Sequence, residues 1–186
     1  MKTQRDDRTI TAFHETGHAI MAMACGFLVS KITIESGDDY KGYVAWHLTT
    51  ENTNDFDNQR SLVVFMAGMV ADGLHWEKWG QGSSNDCPLG WFDDRKKAVA
   101  LLDQLGEPDY MDVYIVIARR YISRPDVWPI VEQVANLLLA VGTIDGMAFL
   151  AGIADKCPKL SVEYWAGIGS IKAAVDELRR RDSGYA

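Results

Sequence analysis

A chain of 186 residues, 47% hydrophobic and 24% charged, is long and apolar enough to bury a proper core, which excludes wholesale disorder. Its formal net charge of −7 argues against a phosphate backbone as main partner, since nucleic-acid binding needs clustered Lys and Arg. No apolar run approaches the roughly 20 residues of a membrane-spanning helix.

The opening Met1-Lys2-Thr3-Gln4-Arg5-Asp6-Asp7 is too polar for a secretory signal. Cys25, Cys87 and Cys157 are far apart and form no C-x-x-C pair, so neither a disulfide framework nor a cysteine zinc site is expected. A reduced, cytoplasmic protein is the expectation. Arg179-Arg180-Arg181 reads as a solvated helix end complementing the macrodipole.

In chain order, Thr9 to Cys25 predicts a helix, with Thr9 as cap, Ile10, Phe13 and Ile20 at helical spacing, and Gly26 as the stop. Its far half, Ala19 to Cys25, is apolar on every side, as in a buried helix. Lys31 to Glu35 alternates as a strand, Ser36 to Lys41 is turn-like, and Gly42 to Leu48 alternates again with Val44, Trp46 and Leu48 on one face. Thr49 to Asp57 is a polar loop. Asn58 to Trp76 is too long for a strand and predicts a core helix interrupted by Gly68. Trp79 to Phe92, with Gly80, Gly82, Pro88 and Gly90, predicts irregular chain; a helix follows from Asp93 or Asp94 to about Leu105. Helices are then expected at Tyr110–Ile122, Val127–Val141, Ile144–Ala154 and Val162–Arg180. The architecture predicted is α+β, a small early sheet followed by helices.

Chemistry enters at His14-Glu15-Thr16-Gly17-His18. Residues four apart share a helix face, so both imidazoles can meet one ion at the ~2.0–2.1 Å of a Zn–N bond. Glu15 lies on the adjoining face, placed to take a proton from a water that Zn2+ activates. A chance match to H-E-x-x-H in a chain this size is roughly a one-in-several-hundred event. A third ligand is needed. No histidine follows in Ala19–Phe27, which excludes the three-histidine type. His47 and His75 remain candidates but read better as strand-surface and packing residues, and carboxylates are the better choice.

Read in series, several stretches resemble the peptidase domain of the FtsH family of ATP-dependent zinc proteases. Ala12-Phe13-His14-Glu15-Thr16-Gly17-His18-Ala19-Ile20 is similar to its A-x-H-E-A-G-H-A pattern, and Lys31-Ile32-Thr33-Ile34 with Gly42-Tyr43 resembles its K-V-T-I strand and following glycine. Ala67 to Asp72 is similar to G-G-R-x-A-E, Ser83-Ser84-Asn85-Asp86 to its S-N-D segment, and Thr143-Ile144-Asp145-Gly146 to T-L-D-G. The resemblance spans about Thr9 to Ala154 and implies a zincin-like fold whose third ligand is an Asp opening a helix. Asp86 keeps the letters of that segment but precedes Cys87-Pro88-Leu89-Gly90, whereas Asp94 leads into a helix with Ala98 four residues on. Asp94 is therefore taken as the ligand, ahead of Asp86 and then Asp93, which reads as the helix cap. The resemblance also implies that Asp72 accepts the second ring N–H of a metal-binding histidine; as a sequence feature alone it is equally a solvent-facing Asp at a helix end. Met69 and Gly73 depart from the family's Arg and second Glu.

No G-x-x-x-x-G-K-S/T phosphate loop is present, so no ATPase module is expected within these residues. The expectation is one FtsH-peptidase-like domain, catalytic over residues 9–105 and helical over 108–186. It would cut flexible or unfolded polypeptides, alone or for a separate unfoldase, with Gly42 to Leu48 as a substrate-pairing edge strand. Rival readings are a non-catalytic zinc-stabilised adaptor and a small-molecule metal amidase; oligomeric state is left open.

Overall fold

The computed structural model describes residues 6–37, 41–47, 54–79 and 92–183. Helix α1 (Asp7–Ala24) leads into β1 (Leu28–Thr33) and β2 (Tyr43–His47), followed by α2 (Asp55–Lys78), α3 (Phe92–Gln104), α4 (Met111–Ile122) and α5 (Trp128–Val141). Strand β3 (Thr143–Asp145), α6 (Met147–Ala154) and α7 (Val162–Ser183) complete the chain. The class is α+β, mostly helical with one three-stranded antiparallel sheet in the order β2-β1-β3. No described helix is long and apolar enough to cross a membrane.

Helix α1 starts earlier than Thr9. Asp6 is the cap, its carboxylate accepting the Thr9 amide at 2.7 Å, so the threonine supplies the donor instead of the acceptor. The expected stop holds: Gly26 sits at φ 84°, and Gly26 and Phe27 donate to the Met23 and Ala22 carbonyls, a Schellman closure. The apolar half is buried throughout, from Ala19 to Ala24.

Strand β1 runs three residues earlier than its alternation suggests. A bulge between Val29 and Lys31 breaks the two-residue period, while Ile34 leaves the ladder to donate to the Gly142 carbonyl at 2.9 Å. Residues 143–145 correct the expected helix at Ile144–Ala154. They pair with β1, Ile32 opposite Ile144, and the helix begins only at Met147 beyond Gly146. The two β-branched residues Thr143 and Ile144 favour the extended state, but three residues are too few to show a period.

Helix α2 also begins inside the expected loop, because Asn54 and Asp57 form a reciprocal capping box. It packs along α1 at contact range set by small side chains. A Cβ on Gly17 would stand 2.4 Å from the Ala67 carbonyl oxygen and 2.7 Å from the Ala71 Cβ. Only glycine allows this approach. The core extends from this helix pair across α4 and α5, where Tyr114 and Tyr121 are fully buried. The Tyr121 hydroxyl donates to the Pro158 carbonyl at 2.6 Å, satisfying its polar end.

Candidate metal centre

The close α1–α2 crossing brings the sequence motif against α2. His14 and His18, one turn apart on α1, face each other edge-on with ring centroids 4.6 Å apart. Their Nε2 atoms are 3.0 Å apart. Asp94, in the first turn of α3, enters from across the cleft with Oδ2 at 2.9 Å from His14 Nε2 and 3.1 Å from His18 Nε2. Three donor atoms thus form a nearly equilateral triangle. A tetrahedral zinc with bonds of about 2.0–2.1 Å needs ligand atoms roughly 3.3 Å apart, so two imidazoles and a carboxylate at these separations fit such an ion. Among the described residues no other group of His, Cys, Asp and Glu converges in this way.

Two further contacts hold the rings. His18 Nδ1 lies 2.8 Å from the Val64 carbonyl oxygen. A carbonyl only accepts, so Nδ1 carries the proton and a neutral His18 presents the Nε2 lone pair to the triangle. Gly68 lies directly beneath the imidazoles: a Cβ there would be 2.4 Å from His18 Nε2 and 2.9 Å from His14 Cε1. The glycine expected as a mere interruption of α2 therefore makes room for the site.

Glu15 is buried, 8% exposed, and lines the same cavity. Burial raises its carboxyl pKa above the ordinary value, opposed by the neighbouring His18 and His14. For His18, burial acts downward, but the hydrogen bond and charge of Asp94, with Glu15 and the Val64 carbonyl, outweigh it and bring the ring up to about 9. For Asp94, burial acts upward, but hydrogen bonds from His14 and His18 hold its carboxyl well below the usual range. Gly42 packs against Glu15: a Cβ on it would meet Glu15 Cγ at 3.0 Å and the Thr33 carbonyl oxygen at 2.8 Å.

The remaining candidates fall elsewhere. Asp93 is exposed and lies within α3, not in front of it as a cap. Asp86 lies outside the described residues, as do Ser83 to Asn85 and Leu48. His47 is exposed at the end of β2. His75 is buried and stacked on Phe13 at 3.7 Å between ring centroids, a packing residue as expected. Asp72 lines the cavity at 2% exposure, which overturns the solvent-facing alternative. The cavity measures about 770 Å³ and runs from the His14–His18–Asp94 triangle past Thr11 and Lys41 to Gly42, Tyr43, Val44 and Trp46.

Residues 1–88 match the model of peptidase family M41, the FtsH peptidase domain family. The match takes in a little under half of the chain and supports an FtsH-type metallopeptidase domain. The matched FtsH-type segment contains His14, Glu15, His18, Gly42, Gly68 and Asp72, and ends before Asp94. Members of the family are zinc metallopeptidases, so peptidase activity of a metal-dependent kind is the function it supports. No curated protein matches the chain.

Proposed function

We propose that this protein is a zinc-dependent endopeptidase in which His14, His18 and Asp94 hold the metal and Glu15 is the general base. The observation that carries this reading is the convergence of His14 Nε2, His18 Nε2 and Asp94 Oδ2 within 3.1 Å of one another, beside a buried glutamate at the wall of a cleft. A zinc ion held by these three residues would supply Lewis acidity, bringing the pKa of water down toward about 7.

This chain's own groups do the rest. The Val64 carbonyl keeps His18 in the Nδ1–H tautomer, so that Nε2 faces the metal. Since Val64 occupies the second nitrogen of His18, a ring-orienting role for Asp72 falls to His14. Glu15, its carboxyl raised in pKa by burial, takes a proton from the attacking water and returns it to the leaving amine. The outer edge of β2, which pairs only with β1 among the described strands, receives an extended peptide by strand addition. That geometry suits flexible or unfolded polypeptides, delivered by a separate unfoldase or met free. The whole chain acts as one FtsH-peptidase-like domain of zincin type.

The test compares wild type with Glu15→Gln on casein, with elemental analysis of both proteins. A loss on the order of 10²–10⁴-fold with one zinc per chain retained is expected. Equal hydrolysis by both proteins removes Glu15 as the base, and absence of metal from wild type purified without chelator removes the zinc assignment. A purely structural zinc would need a fourth protein ligand to close the site; the cluster among the described residues has three.

A further inference from the structure

Beyond the His14–His18–Asp94 triangle, the cleft adjoins a shallow, solvent-open recess of about 380 Å³ between β2, α2 and α3. Its walls are Trp46, Phe65, Ala100 and Leu101, with Ser61 and Lys97 at the edge. Trp46, Phe65 and Lys97 also line the main cavity, so the two spaces adjoin. Trp46 packs on Phe65 at 5.8 Å and on Phe27 at 4.8 Å between ring centroids, which fixes the aromatic wall in place. An apolar recess of this size beside a peptide-binding cleft fits one bulky side chain.

Charge distinguishes this recess. The cleft is lined by Asp7, Glu15, Asp72, Asp93 and Asp94, against two cations, Lys41 and Lys97. Lys41 is committed to Asp7 at 3.1 Å. Lys97 stands one helical turn beyond Asp94 on the same face of α3. Its Nζ lies 5.7 Å from the centre of the Phe65 ring, and among the described residues no carboxylate comes within ion-pair distance of it. An ammonium that acts on Glu15 only through its charge and makes no ion-pair contact among the described residues, at the rim of an apolar recess, is complementary to a carboxylate next to a bulky apolar group.

We propose that Lys97 and the Trp46–Phe65–Leu101 recess select substrates carrying a carboxylate beside a bulky apolar side chain. This selection rests on the peptidase reading above and names its substrate class. The apolar side chain fills the recess while the carboxylate, from an acidic residue or from the end of a peptide chain, pairs with Lys97. Away from Lys97, Lys41 and the His14–His18 pair, the charged groups lining the cleft are carboxylates, so position as well as composition is read.

Binding can be measured without turnover, using fluorescence anisotropy of labelled peptides on zinc-loaded Glu15→Gln protein. Four peptides suffice: Leu-Glu and Leu-Gln pairs within a longer sequence, and a terminal Leu as free acid or amide. At least one carboxylate peptide is expected to bind about 3–10-fold more tightly than its neutral twin, with the advantage shrinking in high salt. The twin that shows the preference identifies the source of the carboxylate. Lys97→Gln should abolish the preference, Lys97→Glu should reverse it, and Ala100→Trp, which fills the recess from an exposed position, should weaken Leu peptides more than Ala peptides. Equal affinities within both pairs, or a preference that survives Lys97→Gln, overturns the proposal. Cleavage by wild type separates the two readings. Hydrolysis of both internal peptides with no charge preference defeats the selection alone, whereas charge-selective binding without any hydrolysis defeats the peptidase reading and leaves the selection standing.

Discussion

His18 directs Nδ1 at the Val64 carbonyl oxygen, 2.8 Å away, so that one α2 backbone group dictates which nitrogen of an α1 histidine faces His14 and Asp94. In the zinc-loaded protein, long-range 15N–1H spectra should show His18 protonated at Nδ1 and coordinated through Nε2. Coordination through Nδ1 would break the assignment, because the Val64 carbonyl would then have lost its donor.

Gly68 and Gly17 separate site from scaffold. Placing alanine at an ordinary helical glycine stabilises a protein by roughly 0.5–1 kcal/mol, so a loss at either position is diagnostic. Gly68→Ala sets its methyl against the His14 and His18 rings and should lower zinc affinity about tenfold or more, read by competition with a chelator. Gly17→Ala instead drives into the Ala67 backbone and should depress Tm more than Gly68→Ala does. An unchanged zinc affinity in folded Gly68→Ala counts against the site.

Metal-free protein should have a defined pH response. His18 is raised from 6.5 to about 9 in the fold, so its contribution to stability is complete below about 6.5 and fades as pH climbs through 9. Asp94 is lowered, so its contribution is present above its ordinary 3.8 and fades as pH falls below that. The Tm of chelator-treated protein should therefore decline between pH 6.5 and 9. Zinc should raise Tm by an amount that grows over the same interval, since it competes with the proton for the histidine. A metal-free Tm that is flat or rising there contradicts the His18–Asp94 pairing.

Gly42→Ala should act on turnover as well as on peptide binding. The added methyl meets the Thr33 carbonyl and the Thr11 methyl, at 2.8 and 2.7 Å, and presses on Glu15 Cγ. Displacing the base should lower kcat about 10- to 100-fold with metal content unchanged. A change confined to KM would assign Gly42 to substrate pairing alone.

The sequence by itself determined the local chemistry. Two histidines four apart with glutamate between them, a helix long enough to hold them, and Gly26 to end it are all written in consecutive residues, because helical geometry depends on short spacings. Even the missed starts of α1 and α2 had readable signals, Asp6 before Thr9 and Asn54 before Asp57, which propensity alone obscured. Tertiary structure decided what crosses the chain. Asp94 stands 80 residues from His14, and only the seating of α3 against α2 brings its carboxylate, and not that of exposed Asp93, to the imidazoles. Val64 acts through a backbone carbonyl, which leaves no mark in sequence, and Gly42 and Gly68 are visible there as glycines without showing which side chains they make room for. Strand β3 forms because β1 offers an edge to pair with, a partner that three residues cannot announce.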